Sequence, residues 1–365
     1  HPPRPWSALA TIAQADCLIR DGECAEAVEL LSALQVDTTA FPAIAQHRYH
    51  GLSRAHLGLR EFDLAFEKPV FLFGPDPVIA SEAMLNEAAA AEFQGDFDNA
   101  KRLYTRAERA SKVLWHRRQA EIAGKRVASY KPYRSRGGTV FVLPDDRTTR
   151  GDWYLGYGTA FYALSAQNFL VDRTGGPGPK LTYDFRTTDP NEPSRLWVTA
   201  TEGTDPAAIW DPHNRTHRPA NRDDYGEQYP IGAGPDLLCD VQVPVGAHLL
   251  SFYFVNDHNY YEPNREYTIT VESETETLAV TDVRQLGGGV YKRFAVRSPQ
   301  TLTVHIWRNA SINTLLSGMF LDTVVPLHEA PPGSAGSQPA AVGQAPRLSA
   351  VEEAARLGAA RLSEP

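Results

Sequence analysis

The chain has 365 residues, of which 42% are hydrophobic and 22% are charged, a composition typical of globular proteins. It carries 44 acidic and 36 basic residues, and this net charge of −8 disfavours a nucleic-acid partner, which needs clustered positive charge. No stretch approaches the roughly 20 apolar residues that a membrane-spanning helix needs. Because the chain is longer than one typical domain, we expect two domains.

The chain begins with HPPRPW and has no initiator Met. This beginning fits either a shortened chain or a mature protein whose signal peptide has been removed, and we favour the second, which predicts a secreted protein. Cys17 and Cys24 flank a turn and could form a disulfide across a helical hairpin, while Cys239 stands alone. Three free buried thiols are an equal alternative.

The first part of the chain has a repeating helical pattern. Residues 7–112 contain three segments in which an apolar helix, a short polar turn and a second helix follow one another. The turn residues Gly22, Arg60 and Gly95 recur at intervals of 38 and 35 residues, close to the ~34-residue tetratricopeptide period. Each is followed five positions later by an alanine: Ala27, Ala65 and Ala100.

The segment AEFQGDFDNAKRLYTRA resembles the second half of a tetratricopeptide repeat. The resemblance implies that the glycine permits a tight turn, that Phe62 and Phe97 pack between helices, and that the small alanines let the helices approach closely. The segment KVLWHRRQAEIAGKRVASY is expected to continue as a capping helix. We therefore assign residues 1–130 to a domain of helical hairpins.

After residue 130 the pattern changes to short stretches rich in β-branched and aromatic residues, separated by Gly, Pro, Asn and Asp. Stretches such as TVFVL and TLTVHIW are strand candidates, and no helical pattern intervenes. Such a series predicts an antiparallel β-sandwich, such as a jelly roll, over residues 131–328. The predicted fold class is α+β in two domains.

The blocks TRGDWYLGYG, LSFYFVNDHN, NREYTITV, GGGVYKRFAV and RNASINTLLSGMFLD are similar to a β-sandwich module of large secreted bacterial proteins. In those proteins the module stands beside tetratricopeptide repeats or is appended to glycoside-degrading enzymes. The resemblance spans about residues 145–325, and it implies an accessory module without assigned catalytic residues.

The end of the chain has its own character. Residues 329–347 form a low-complexity linker rich in Pro, Gly and Ala. Residues 348–365 predict a short amphipathic helix, because Ser349 and Glu352 form a capping-box signature and apolar residues follow on one face. The helix is expected to dock on its own repeats or on a neighbouring molecule through Leu348, Val351, Ala355 and Leu362.

Residues 287–289 are three consecutive glycines, which suggest a phosphate cradle only if a helix follows. The next residues, VYKRFAV, predict a strand, so we favour a tight turn or bulge. Structural roles in a turn between two strands are likewise expected for Arg308, Asn309, Asn313 and Asp322.

Two loops carry possible metal ligands. His213 and His217 lie four residues apart beside Asp211, but Pro212 argues against the helix that would bring two imidazoles to one zinc ion. The second loop could bind a calcium ion, and its candidate ligands are Asp257, His258, Glu262 and Glu266. We predict no metal site and no cofactor, with calcium as the remaining possibility.

No known catalytic pattern of the G-x-S-x-G or H-E-x-x-H type is present. Aromatic residues could include a stacking platform for sugar rings, although most are expected in the core; the candidates are Trp153, Tyr154, Tyr157, Trp197, Trp210, Tyr260 and Tyr261. Asn214 and Asn309 match the glycan-acceptor pattern.

Helical hairpins and sandwich faces both offer surfaces for other molecules. We therefore expect a secreted, non-enzymatic structural protein that assembles head to tail with other copies, the helix near residues 348–362 entering the groove of a neighbour. The alternatives are a carbohydrate-binding accessory protein of the cell surface and an unrecognised hydrolase. Peptides or glycans are the other expected partners.

Overall fold

The structure is a computed structural model that describes residues 5–66, 76–133, 139–178, 181–199, 203, 205–256 and 265–324. The predicted linker and terminal helix, with Leu348, Val351, Ala355 and Leu362, lie outside the described residues. In the described part, no helix combines the length and the apolar character needed to cross a membrane. The helices are α1 (Pro5–Asp21), α2 (Cys24–Ala33), α3 (Pro42–Gly58), α4 (Phe62–Ala65), α5 (Pro77–Phe93), α6 (Phe97–Ala110) and α7 (Leu114–Ala128).

All the described α-helices precede all the described strands, so the predicted two-domain α+β class is confirmed. The strands are β1 (Val140–Asp146), β2 (Phe161–Leu164), β3 (Arg173–Gly175), β4 (Thr182–Thr187), β5 (Arg195–Val198), β6 (Trp210–Asp211), β7 (Thr216–His217), β8 (Ala220–Asp223), β9 (Leu237–Phe254), β10 (Tyr267–Glu272), β11 (Thr277–Val283), β12 (Val290–Trp307) and β13 (Gly318–Thr323).

The helices form hairpins at the predicted turns. Gly22, Arg60 and Gly95 have φ values of 88°, 62° and 80°, the left-handed conformation that commonly ends a helix. The alanines that follow each turn are buried, which lets the two helices of a hairpin pack closely. In the middle hairpin the described second helix is short, because α4 comprises only Phe62–Ala65.

Local sequence explains where α5 and α6 begin. The side chain of Asp76 accepts hydrogen bonds from the backbone N–H groups of Val78 and Ile79, and Pro77 occupies the first helical position. Asp96 caps α6 by accepting from the N–H of Asn99. The buried face of α6 repeats at three- and four-residue intervals through Ala100, Leu103, Tyr104 and Ala107.

Two 18-residue strands, β9 and β12, organise the β domain. They pair antiparallel along almost their whole length, with a register shift between Ser298 and Gln300 and a left-handed glycine, Gly246, on the opposing strand. One half of the pair continues through β1 on one side and β13, β2 and β3 on the other. The other half continues through β10 and β11 on one side and β4 on the other.

The strands thus form a sandwich-like sheet in which β9 and β12 belong to both layers. Alternate residues of β9, such as Phe252 and Phe254, join the main apolar cluster with Ile269 and Val271 of β10. Tyr253 points to the opposite face and packs in a second cluster beneath the loops after β1.

The helical and β domains share an apolar contact. Phe93 of α5 and Leu57 of α3 pack in one cluster with Val280 of β11. Tyr130, just after α7, contacts Trp307 of β12 with ring centroids 5.6 Å apart. Because this side of the helical domain is covered by the chain's own sheet, a docking helix from another copy needs a different face.

A buried ion pair lies beside this contact. The Glu92 carboxylate of α5 is fully buried and lies 2.7 Å from Nη2 of Arg126 on α7. The Tyr104 hydroxyl donates to it over 2.7 Å, and the Tyr130 hydroxyl also donates to it. Arg126 donates a further hydrogen bond to the side chain of Asn309 in the β domain.

The cysteines are not bonded to one another. Cys24 and Cys239 are buried and free, and Cys17 is exposed and free. Cys17 therefore departs from the alternative of three buried thiols, and Cys24 packs as a small apolar side chain against the helical core.

We expect the substitution Glu92→Ala to lower the free energy of unfolding by about 3–5 kcal/mol, since it leaves the Arg126 charge buried without its partner. Urea unfolding followed by helical circular dichroism measures the effect. The control Glu87→Ala removes an ion pair to Arg106 on the surface of the same helix and should cost at most about 1 kcal/mol. Equal losses for the two variants would contradict the proposed importance of the buried pair.

Candidate functional site

A surface cavity of about 480 Å³ opens on the β domain, where β5 and β8 pair. We call it the pocket. Its volume lies in the range of small-ligand sites. Its lining combines apolar, aromatic and charged side chains: Leu170, Glu192, Pro193, Ser194, Arg195, Leu196, Arg222 and Tyr225.

Arg195 is held in place by three groups. Its Nη2 lies 2.8 Å from Oδ2 of Asp223, its Nε donates to Oδ1 of the same carboxylate, and it also pairs with Glu227. The guanidinium lies 4.2 Å from the centre of the Tyr225 ring. Such a bidentate, stacked arginine is fixed before any ligand arrives.

Arg222 forms the second fixed cation of the pocket. Its Nη2 lies 2.8 Å from Oδ2 of Asp172, and its Nη1 donates to the Ser194 hydroxyl over 2.7 Å. The guanidinium also stacks 4.4 Å from the centre of the Phe185 ring. Since this ion pair is almost buried, the pocket wall is rigid on this side as well.

Tyr225 has a backbone conformation that side chains rarely adopt. Its φ of 63° lies in the left-handed region, which costs a non-glycine residue roughly 1 kcal/mol or more. The Asp223 carboxylate stabilises this conformation by accepting the Tyr225 N–H over 3.1 Å. The strained conformation sets the aromatic ring against the pocket and the Arg195 guanidinium.

Behind the pocket lies a buried polar layer from the chain segment that follows β12. Asn313 donates to the Asp223 carboxylate, and the N–H of Thr314 donates to Asp224. Arg308 is buried and donates to the carbonyl of Gly226 over 2.8 Å. These contacts agree with the prediction that polar residues of this segment serve as scaffold.

An exposed apolar segment stands at the mouth of the pocket. Phe169, Leu170 and Val171 are 76%, 53% and 60% exposed, and Leu170 also lines the cavity. Phe169 has a φ of 60°, so it shares the left-handed conformation of Tyr225. An exposed apolar group beside a polar cavity is typical of a binding surface.

The polar groups of the pocket are arranged for hydrogen bonding. The Ser194 hydroxyl is engaged by Arg222 and the carbonyl of Phe185, without a histidine base beside it. Asp224 is fully buried and belongs to the layer behind the cavity. In the described part of the chain, no three His, Cys, Asp or Glu side chains meet in a way that could hold a metal ion.

The structure separates the two predicted glycan acceptors. Asn214 is exposed, and its side-chain nitrogen donates to Asp211 over 2.8 Å. Asn309 is half-buried, and its nitrogen donates to Thr268 while its oxygen accepts from Arg126. A glycan therefore has room at Asn214 only, and modification of either residue stays a prediction.

The possible metal ligands do not come together among the described residues. His213 lies exposed in the turn between β6 and β7, whereas the ring of His217 bonds the carbonyl of Ala208 and lies 3.4 Å from Asp152. For the calcium possibility, Asp257, His258 and Glu262 lie outside the described residues.

The glycine triplet adopts the predicted tight turn. A short helical turn over Leu286–Gly288 ends at Gly289, whose φ is 83°, and β12 follows at once. A Cβ at position 289 would lie 2.0 Å from the Tyr253 hydroxyl, so only glycine fits there.

The aromatic residues proposed as a sugar platform divide between core and surface. Trp153 and Tyr157 are buried, as expected of most aromatic residues. Tyr154, half exposed, forms a surface pair with Trp210 at 5.8 Å between ring centroids. Trp197 is partly buried, and Tyr260 and Tyr261 lie outside the described residues.

The sequence prediction missed the pocket. Arg195 and Asp223 lie 28 residues apart and meet only because β5 pairs with β8 in that register. The one local signal is the pair of aspartates followed by Tyr225 and Gly226, a combination typical of a turn with side-chain-to-backbone hydrogen bonds.

No protein-family model matches this chain, and no curated protein matches it. One similar solved structure contains the CBM51-2 domain in complex with GlcNAc and the INT domains of Clostridium perfringens ZmpB, with 10% identity, a TM-score of 0.24, and coverage of 50% of this chain and 40% of that one. A family GH115 4-O-methyl-alpha-glucuronidase with specificity for decorated arabinogalactans has 8% identity, a TM-score of 0.18, and coverage of 89% and 34%.

This chain thus spans less than half the length of either solved structure. Likenesses with such low TM-scores carry no argument about function. The comparisons also leave the tetratricopeptide resemblance unsupported, so only the coarser description, helical hairpins followed by an antiparallel sandwich-like sheet, is established.

Burial raises the pKa of Asp224 from 3.8 to about 7. Between these values the folded protein keeps a proton that the unfolded chain has lost, so this group lowers stability as pH rises through the window. We expect Asp224→Asn, which is neutral throughout, to gain stability relative to the unmodified protein between pH 4 and 7, by about 1.4 kcal/mol per pH unit.

Urea unfolding at several pH values measures this difference. The control Asp184→Asn changes an exposed aspartate of β4 and should leave the pH profile unchanged. A constant difference between the Asp224→Asn variant and the unmodified protein across the window would contradict the assignment.

Proposed function

We propose that the protein is a non-catalytic, carbohydrate-binding accessory protein whose β domain takes a sugar in the pocket. The observation that carries this proposal is the fixed Tyr225 ring beside two immobilised arginines in one cavity. A sugar ring has an apolar face and a rim of hydroxyl groups, so it needs both an aromatic surface and planar hydrogen-bonding groups.

The pocket supports each of these needs. Arg195 stacks on the Tyr225 ring, and this partly exposed ring lines the cavity, where we propose that it contacts the apolar face of a sugar. Arg195, Arg222 and Glu192 supply donors and acceptors for hydroxyl groups. Because the arginines are already held by carboxylates, little side-chain entropy is lost on binding.

The same contacts favour binding over catalysis. A hydrolase needs a carboxyl group or nucleophile that reaches the substrate. Here Asp223 and Asp172 hold arginines, and Asp224 lies behind the cavity wall. Glu192 is the single carboxylate among the residues that line the pocket, whereas glycoside hydrolysis uses a pair of them. We therefore propose that the chain is not an enzyme and that it acts outside the cell.

A glycan-array screen of the whole chain identifies the sugar, and calorimetric titration compares variants on it. We expect Tyr225→Gly to weaken binding by about tenfold or more, since the stacking ring is lost. The melting temperature should change by only about a few degrees, because glycine adopts a φ of 63° without strain and this relief offsets the lost ring contact with Arg195. Loss of binding in this variant therefore cannot be attributed to unfolding.

The matched control is Tyr154→Ala, which removes an exposed tyrosine from the aromatic pair with Trp210. Binding should be unchanged in this variant. If instead Tyr154→Ala abolishes binding and Tyr225→Gly does not, the sugar platform is the Tyr154 pair and the pocket proposal is wrong.

Head-to-tail assembly is a second proposal, favoured by the amphipathic pattern of residues 348–362. In this proposal the terminal helix of one copy docks on a neighbour and propagates a filament. It must dock on a face other than the one that β11 covers.

Deleting residues 329–365 should abolish polymerisation, which negative-stain images and sedimentation would measure. The four-residue variant that replaces Leu348, Val351, Ala355 and Leu362 by serine serves as a check, since it keeps the chain length. Filaments that persist after the deletion would refute this proposal and leave the pocket proposal untouched.

A further inference from the structure

The outer face of α6 carries a row of cations. The residues exposed on this side form an open surface of the helix: Asp98, Lys101, Arg102, Thr105, Arg106, Arg109 and Ala110. We call Lys101, Arg102, Arg106 and Arg109 the basic row. It contrasts with the net charge of −8 of the whole chain.

Few acidic groups neutralise this row. Arg106 pairs with Glu87 of α5, and Arg102 donates to the amide oxygen of Asn99 over 2.7 Å. Neither Lys101 nor Arg109 forms an ion pair with another residue in the part of the chain that the structure describes. The row therefore presents its charge to the solvent.

The opposite face of α6 anchors the row. Leu103, Tyr104 and Ala107 are buried against the neighbouring helices, so α6 cannot rotate to hide its cations. Eight residues separate Lys101 from Arg109, which corresponds to about 12 Å along a helix axis at ~1.5 Å per residue. Such a row fits an extended chain with repeated negative charges better than a single small anion.

We propose that the basic row binds a linear acidic polysaccharide whose sugar units carry carboxylate groups. Arginine side chains recognise carboxylates in a planar, two-pronged geometry, and three of the four cations are arginines.

Other polyanions and surfaces fit less well. Nucleic acid needs a larger positive field than four cations provide in a chain of net charge −8. A membrane-bound helix inserts an apolar face into the lipid, whereas the apolar face of α6 is buried inside the helical domain. A carboxylate polymer requires only the line of exposed cations that α6 presents.

The test uses the full chain and fluorescent polygalacturonate, with neutral dextran, a single-stranded oligonucleotide and phosphatidylserine vesicles as competing probes. We expect binding to polygalacturonate alone, weakening as salt rises from 50 to 200 mM, because ion pairs are screened. The double substitution Lys101→Glu with Arg109→Glu should weaken binding at least tenfold.

The matched control is Arg20→Glu with Arg215→Glu, which changes the net charge equally at exposed positions on α1 and in the turn between β6 and β7. It should bind within about twofold of the unmodified protein, and Tyr225→Gly should bind normally, which separates this inference from the pocket proposal. Equal losses in the two double variants, unchanged binding after substitution of the row, or a preference for dextran, oligonucleotide or vesicles would overturn the proposal.

Discussion

The pairing of β9 with β12 is the constraint on which the rest of the β domain depends. The two strands stay paired on both sides of the register shift near Ser298. The same strand pair therefore contributes to both layers of the sandwich-like sheet. Because side chains alternate across a strand, this one pair supplies the main core with Phe252 and the second core with Tyr253. Any slip of one residue would exchange these two faces.

The segment after β12 transmits this order to the pocket. Arg308 directly follows β12 and donates to the carbonyl of Gly226. Asn313 and Thr314 donate hydrogen bonds to the two aspartates at the end of β8. Asp223 in turn holds both the Arg195 side chain and the strained backbone of Tyr225. The polar residues of this segment therefore do not line the pocket. They hold in place the aspartates that position Arg195 and Tyr225.

The buried charge of Glu92 has a comparable role at the junction of the domains. A carboxylate without solvent needs several donors, and these come from Tyr104 of α6, Arg126 of α7 and Tyr130, two residues after α7. Through Arg126 the network reaches Asn309, so the helical domain and the β domain meet through a polar contact as well as the apolar one around Val280. This arrangement leaves the outer face of α6 to the solvent and covers the side formed by α5.

The sequence by itself determined the helical hairpins, the order of the domains and most of the strand positions. These features depend on neighbouring residues: Gly22 and Gly95 mark turns, and apolar residues repeat with the period of a helix or a strand. β9 is a single strand although it contains Pro244 and Gly246, residue types that commonly interrupt strands, because its pairing with β12 resumes beyond them.

Only the tertiary structure decided which polar residues meet. Arg195 and Asp223 are distant in the chain, and the register of two strands brings them together. The same holds for Asn309. Its glycan-acceptor sequence does not indicate the hydrogen bond that its side chain accepts from Arg126, 183 residues away. Local patterns report periodicity and turns, whereas the position of a binding group depends on long-range pairing that those patterns do not encode.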